Sequence, residues 1–164
     1  MRCIKQEYAD VLSAVAEYHD EKSSRPFTFV ELGAGYGHWT FAAHKALQQL
    51  SPGAPRRYLM VDVVPSLAKA VKNLQVQNGV EAGISAFHVG YISWRDSTRG
   101  DGPGQKVDAK HLFRLYGDLW GLGSSARDEA AALKTVTLST LLKHYDIPTC
   151  IDMVDIDIQG SECT

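Results

Sequence analysis

The stretch Phe29-Val30-Glu31-Leu32-Gly33-Ala34-Gly35-Tyr36-Gly37-His38-Trp39-Thr40 decides how the rest of the chain is read. An apolar run from Phe27 to Leu32 carries one acid and stops at three glycines on alternate positions. Beyond them Trp39, Ala43, Ala46, Leu47 and Leu50 recur at the three- and four-residue steps of a helix. The pattern predicts a strand, a tight turn and a helix. Glycine suits the turn because it adopts backbone angles that side chains disfavour and lets a ligand approach the main chain. The N–H groups that open the following helix lack helical partners and can face a negative group. These residue types predict a nucleotide-type cofactor site; a turn that only joins strand to helix is the plainer use of the same glycines.

The spacing narrows the choice. A dinucleotide fingerprint, Gly-x-Gly-x-x-Gly, needs glycine at position 38, where this chain has His38. The third glycine is Gly37, and Glu31 leads the series as Glu-x-Gly-x-Gly-x-Gly. That order resembles the first motif of class I S-adenosylmethionine (SAM) methyltransferases. The resemblance implies that Gly33, Gly35 and Gly37 wrap the methionine and ribose portions of SAM and that Glu31 helps to hold its ammonium end.

With 164 residues the chain is long enough for one domain with a real core. A net charge of -2 gives no electrostatic case for nucleic acid or an anionic membrane as the main partner. No apolar run reaches the length of a membrane span. Cys3, Cys150 and Cys163 show no C-x-x-C spacing, which fits reduced thiols in a cytoplasmic setting and offers no zinc site.

The expected organisation is a single SAM-binding domain over 1–164, an amino-terminal helix over 2–22 and a core over 27–164. Ile4, Tyr8, Val11, Leu12, Val15 and Tyr18 give the first helix its apolar face, and Ser23-Ser24-Arg25-Pro26 ends it. Tyr58 to Val63 reads as a second strand, Pro65 to Asn78-Gly79 as a helix, and Ile84 to Val89 as a third strand. Alternating strands and helices predict an α/β fold, a Rossmann-like three-layer αβα sandwich on a mainly parallel sheet. From Ser93 periodicity fails, and Asp96 to Gly104 is a polar glycine-rich loop, a lid or simply disordered. Gly121 to Ser125 is a further turn. Thr135 to Leu138 reads as a short strand, Ser139 as the cap of a helix through Tyr145, and Cys150 to Ile158 as the last strand. The methyltransferase resemblance implies the strand order 3-2-1-4.

Acids mark the strand tips. Asp62 ends the second strand, where ligands of open α/β sheets bind and where a carboxylate accepts ribose hydroxyls; capping the turn before Pro65 is the alternative. Asp155 and Asp157 share one face of the last strand, about 6–7 Å apart. A general base, a divalent metal ligand or an ammonium binder would use such acids, and so would a strand that merely leaves the core. His88 ends a strand as a candidate base or a structural histidine. Trp94 and Trp120 are candidates for framing a ligand or for the core.

Taken together, Glu31 to Thr40, Asp62-Val63-Val64-Pro65, Val136-Thr137-Leu138 to Leu142, and Asp157-Ile158-Gln159-Gly160-Ser161-Glu162 follow an order similar to the FkbM family of SAM-dependent methyltransferases. The chain departs from that pattern at Gly35 in place of asparagine, at Val63 in place of proline, and at Asp155 in place of lysine. The resemblance implies O-methylation of a hydroxyl on a sugar, lipid or small metabolite. It places Asp157 and Glu162 as active-site acids beside a SAM site of Glu31, Gly33, Gly35, Gly37 and Asp62, with no metal. It also implies that the second half of the methyltransferase sheet is missing, so that 164 residues form an amino-terminal fragment. A nicotinamide-dependent oxidoreductase and a non-catalytic SAM-binding or interaction module are the competing readings.

Overall fold

In the computed structural model, which describes residues 4–92 and 135–157, strand β1 (Phe27–Leu32) is buried at every position. A strand of that kind needs partners on both edges and cover on both faces. Strands β2 (Arg56–Asp62) and β6 (Met153–Ile156) flank it, both parallel, and β3 (Ser85–Val89) joins the far side of β2. The sheet order β3-β2-β1-β6 is the expected 3-2-1-4 arrangement. Parallel neighbours need crossovers, and helices α2 (His38–Leu50) and α3 (Leu67–Gln77) supply the first two.

Side-chain alternation sets the layers. Phe27, Phe29 and Tyr58 face Val11, Val15 and Tyr18 of helix α1 (Ile4–Asp20) together with Ala43 and Leu47 of α2. Val30, Leu32, Leu59 and Val61 point the other way, onto Leu141 and Leu142 of helix α4 (Leu138–His144) and the following Ile147. Helix α1 lies beside α2 in the same direction: Tyr8 meets His38 where α2 begins, and His19 Nδ1 lies 2.7 Å from Ser51 Oγ where it ends.

Four expectations change in detail. Tyr91–Ile92 (β4), which no periodicity announces, pairs in parallel with Thr135–Val136 (β5) as a separate two-stranded sheet. The strand expected to run to Leu138 stops at Val136 because Thr137, in extended backbone, caps α4 by accepting the Thr140 N–H at 3.1 Å. Ser139 is therefore not the cap but lies inside the helix. Among the described residues the last strand is paired over Met153–Ile156. Ahead of it the Asp152 carboxylate accepts two hydrogen bonds from Arg25, at 2.6 and 2.7 Å, and one from Thr28 N–H at 2.8 Å. That clasp ties the chain leaving α1 to the entry of β6.

Among the described residues β6 pairs only with β1, and Val154 and Ile156 are 42% and 52% exposed. The loop over 96–104, the turn over 121–125, Trp94, Trp120 and Glu162 lie outside the described residues.

Candidate functional site

The carboxyl ends of β1, β2 and β6 meet at the glycine loop. Gly33, Gly35 and Gly37 all have positive φ, at 79°, 53° and 75°, so the alternate spacing serves a backbone of alternate left-handed residues. The loop crosses the end of β2, where Val61 O accepts the N–H groups of Gly33 and Ala34 at 2.9 and 3.0 Å. Gly37 N–H then closes the turn on Ala34 O at 2.7 Å.

The later two glycines do different jobs. A Cβ on Gly37 would sit 2.6 Å from Met60 Sδ and 3.2 Å from the Phe41 ring, so this glycine lets α2 seat against the core. A Cβ on Gly35 would meet nothing within 4 Å. Gly35 thus presents bare backbone to open space, which is what a ligand against the main chain requires.

Asp62 holds that backbone. One of its oxygens accepts the Gly35 N–H at 2.7 Å and the other the Val64 N–H at 2.9 Å. Burial pushes its carboxyl up, while the N–H bonds from Gly35, Val64 and Val63 pull it down. The carboxylate caps its own turn and tethers the loop at once. With these N–H groups accepted, the carboxylate keeps a lone pair for a hydroxyl.

Glu31 is placed otherwise than the simple motif suggests. It is 2% exposed and lies beneath the loop. Its oxygens accept the N–H groups of Trp39 (3.3 Å) and Thr40 (3.0 Å) and the Thr40 hydroxyl (2.5 Å). Gly37 stands at the N-cap of α2 and has no side chain to cap with. Glu31 does that work from the neighbouring strand, on the N–H groups a capping side chain normally satisfies. Two N–H groups expected to face a ligand thus face this carboxyl. Burial pushes its pKa up to about 7 from 4.5; the bonds from Thr40 and Trp39 oppose the rise and Asp155 adds to it. Asp155 stands opposite Glu31 in the β1–β6 register.

Asp157 follows β6 directly, exposed, with its N–H on Leu32 O at 2.8 Å. The fold therefore gathers Glu31, Gly33, Gly35, Gly37, Asp62 and Asp157 at one end of the sheet. His88, in register with Val61 near the carboxyl end of β3, is engaged by a structural partner: its Nδ1 lies 3.1 Å from the hydroxyl of Tyr145, and burial lowers its pKa.

Two features had no signal in the sequence. One is the Arg25–Asp152 clasp, across a separation of 127 residues. The other is an aromatic group beside the loop. Tyr8 Oη lies 3.0 Å from His38 Nε2. Trp39 meets both rings edge-on, with centroids 4.9 Å from Tyr8 and 4.7 Å from His38.

No protein-family model matches the chain, and no curated protein is similar to it. Among solved structures it is similar to the O-methyltransferase TomG from Streptomyces achromogenes, involved in tomaymycin synthesis and in complex with SAM. That match has 19% identity over 54% of this chain and 34% of TomG, with a TM-score of 0.37. YcgJ from Bacillus subtilis matches at 17% identity over 52% of this chain and 34% of its own, with a TM-score of 0.32. YjhP from E. coli matches at 13% identity over 82% and 62%, again with a TM-score of 0.32. The matched part spans about a third of the length of TomG and YcgJ.

Proposed function

We propose that the chain binds SAM at the glycine loop and belongs to an enzyme that methylates a hydroxyl oxygen. The observation that carries this reading is the loop itself. Its glycines are left-handed, it is open at Gly35, and it is held from the next strand by Asp62.

The residues present fit the cofactor. Bare backbone at Gly35 gives a close approach to the methionine and ribose portions. Asp62 has a lone pair left for a ribose hydroxyl. Glu31 supports the site by holding the first turn of α2 beneath the loop. Asp157, at the same end of the sheet, and Glu162 are taken as active-site acids through the resemblance of the closing motif. When bound, SAM supplies a methyl group already activated on a sulfonium. The protein's share is to place the acceptor oxygen in line with that methyl and to remove its proton where the hydroxyl is weakly acidic. The FkbM-like order of motifs supports a sugar, lipid or small-metabolite hydroxyl as acceptor.

A nicotinamide cofactor is the weaker fit, because position 38 is His38 and no third glycine follows at dinucleotide spacing. Calorimetric titrations with SAM and with NADH and NADPH separate the readings, SAM being expected to bind alone. Gly35→Val should remove SAM binding, since a branched side chain fills the open approach. The variant should still fold at a cost of ~1–2 kcal/mol for a non-glycine residue at positive φ. Wild-type SAM affinity in this variant would refute the assignment of the loop. Tight SAM binding with no transfer to any hydroxyl acceptor would point to a non-catalytic module.

A further inference from the structure

We propose that Tyr8, His38 and Trp39 form the acceptor subsite, that it takes a planar phenolic substrate, and that His38 receives the proton of the reacting hydroxyl. The inference rests on the SAM reading above and deepens it.

Placement is the first observation. His38 and Trp39 directly follow Gly37, so this group borders the proposed methyl-donor loop at the carboxyl end of the sheet, the end where open α/β sheets bind ligands. Tyr8 comes from α1, 30 residues earlier, so the amino-terminal helix supplies one wall. The second observation is exposure. Tyr8 is 39% exposed and Tyr36, on the loop, 49%. His38 is exposed and Trp39 half-buried. Exposed aromatic surface loses the gain of burial, about 25 cal/mol per Å². Rings held in order by edge-to-face contacts suit a flat partner that would cover them.

The third observation is the state of the imidazole. Nε2 is engaged by the Tyr8 hydroxyl at 3.0 Å, and Nδ1 has no hydrogen-bond partner among the described residues. In the tautomer where the Tyr8 oxygen accepts Nε2–H, the lone pair of the ring lies on Nδ1, and the contact holds the ring's orientation. A phenol uses both halves of the subsite: its ring covers aromatic surface and its hydroxyl meets Nδ1. The proton passes from the phenol oxygen to Nδ1 as that oxygen bonds to the methyl carbon. The C–S electrons return to sulfur, leaving the methyl ether, S-adenosylhomocysteine and a histidinium that releases its proton to water.

The test uses catechol as probe and cyclohexane-1,2-diol as its non-aromatic counterpart, followed by NMR of the Tyr8, His38 and Trp39 ring signals. Catechol should shift these signals in a saturable manner and the diol should not. With SAM present, His38→Gln should lower kcat for catechol at least tenfold and Tyr8→Phe several-fold. SAM affinity and melting temperature should stay near wild type in both variants. Equal responses to the two probes, a wild-type rate in His38→Gln, or a Tyr8→Phe effect confined to melting temperature would overturn the proposal. The last result would leave the tyrosine only pinning α1 to α2. If the wild-type chain fails to bind SAM, the proposed function falls. The NMR titration needs no SAM and still decides the aromatic subsite.

Discussion

Glu31→Gln should remove a pH dependence that the wild-type chain carries in its core. The carboxyl is 2% exposed, and burial raises its pKa from 4.5 to about 7 against the opposing bonds from Thr40 and Trp39. The folded value lies above the unfolded one, so the folded state binds the extra proton and stability falls as pH rises. Glu31's contribution is complete below about pH 4.5 and lost once pH passes about 7. Linking those two values gives a loss of about 2–3 kcal/mol between about pH 5 and 8, at about 1.4 kcal/mol per pKa unit. Glutamine keeps the shape and one acceptor oxygen but cannot ionise. Urea unfolding of both proteins, repeated across that pH range, isolates the effect, since other titrating groups largely cancel in the difference. Wild type should lose about 2–3 kcal/mol relative to the variant on going to about pH 8. Parallel curves would refute the reasoning. A difference of the opposite sign would show that the N–H bonds outweigh burial and depress the pKa.

Gly37→Ala should cost about 2–4 kcal/mol in urea unfolding, from positive φ and overpacking against Met60 and Phe41. Gly53→Ala, with nothing within 4 Å of the added carbon, should stay within about 0.5 kcal/mol, and equal losses would sink the packing argument. Asp62→Ala should weaken SAM by about 1.5–3 kcal/mol on calorimetry, having lost the tether on Gly35 N–H and its remaining lone pair. A change in stability with unchanged SAM affinity would reduce Asp62 to a turn cap. Arg25→Ala should destabilise by about 2–3 kcal/mol because Asp152, whose side chain is 7% exposed, is left without its cation. That is below the cost of a fully buried pair, since Arg25 itself is 34% exposed. A melting temperature equal to wild type would show that the clasp contributes nothing net.

The sequence by itself determined the α/β class and the place of the glycine loop, each from a local signal, while the order of the four parallel strands came with the methyltransferase resemblance. Strand and helix periods differ, so Phe27–Leu32 and the steps from Trp39 to Leu50 cannot be exchanged. Alternate glycines have few other uses than a left-handed turn. Once strands alternate with helices, the handedness and length of crossovers leave few sheet orders. Element ends were less legible. Thr137 and Ser139 are both good caps by composition, and only the backbone angles at Thr137 choose between them.

Tertiary structure alone decided what the side chains do. Glu31 leads the motif in sequence, yet its oxygens are taken by Trp39 and Thr40, because Gly37 leaves α2 uncapped and the end of β1 lies beneath it. Asp62 reads as a ribose acceptor with a turn cap as the alternative, and the fold brings Gly35 N–H to within 2.7 Å of it. Arg25 with Asp152, and Tyr8 with His38, meet only because the chain has folded α1 alongside α2 and β6 alongside β1. Periodicity reports which face of an element is buried. A hydrogen bond depends on atoms within about 3 Å and on direction. No local pattern fixes that between residues far apart in the chain.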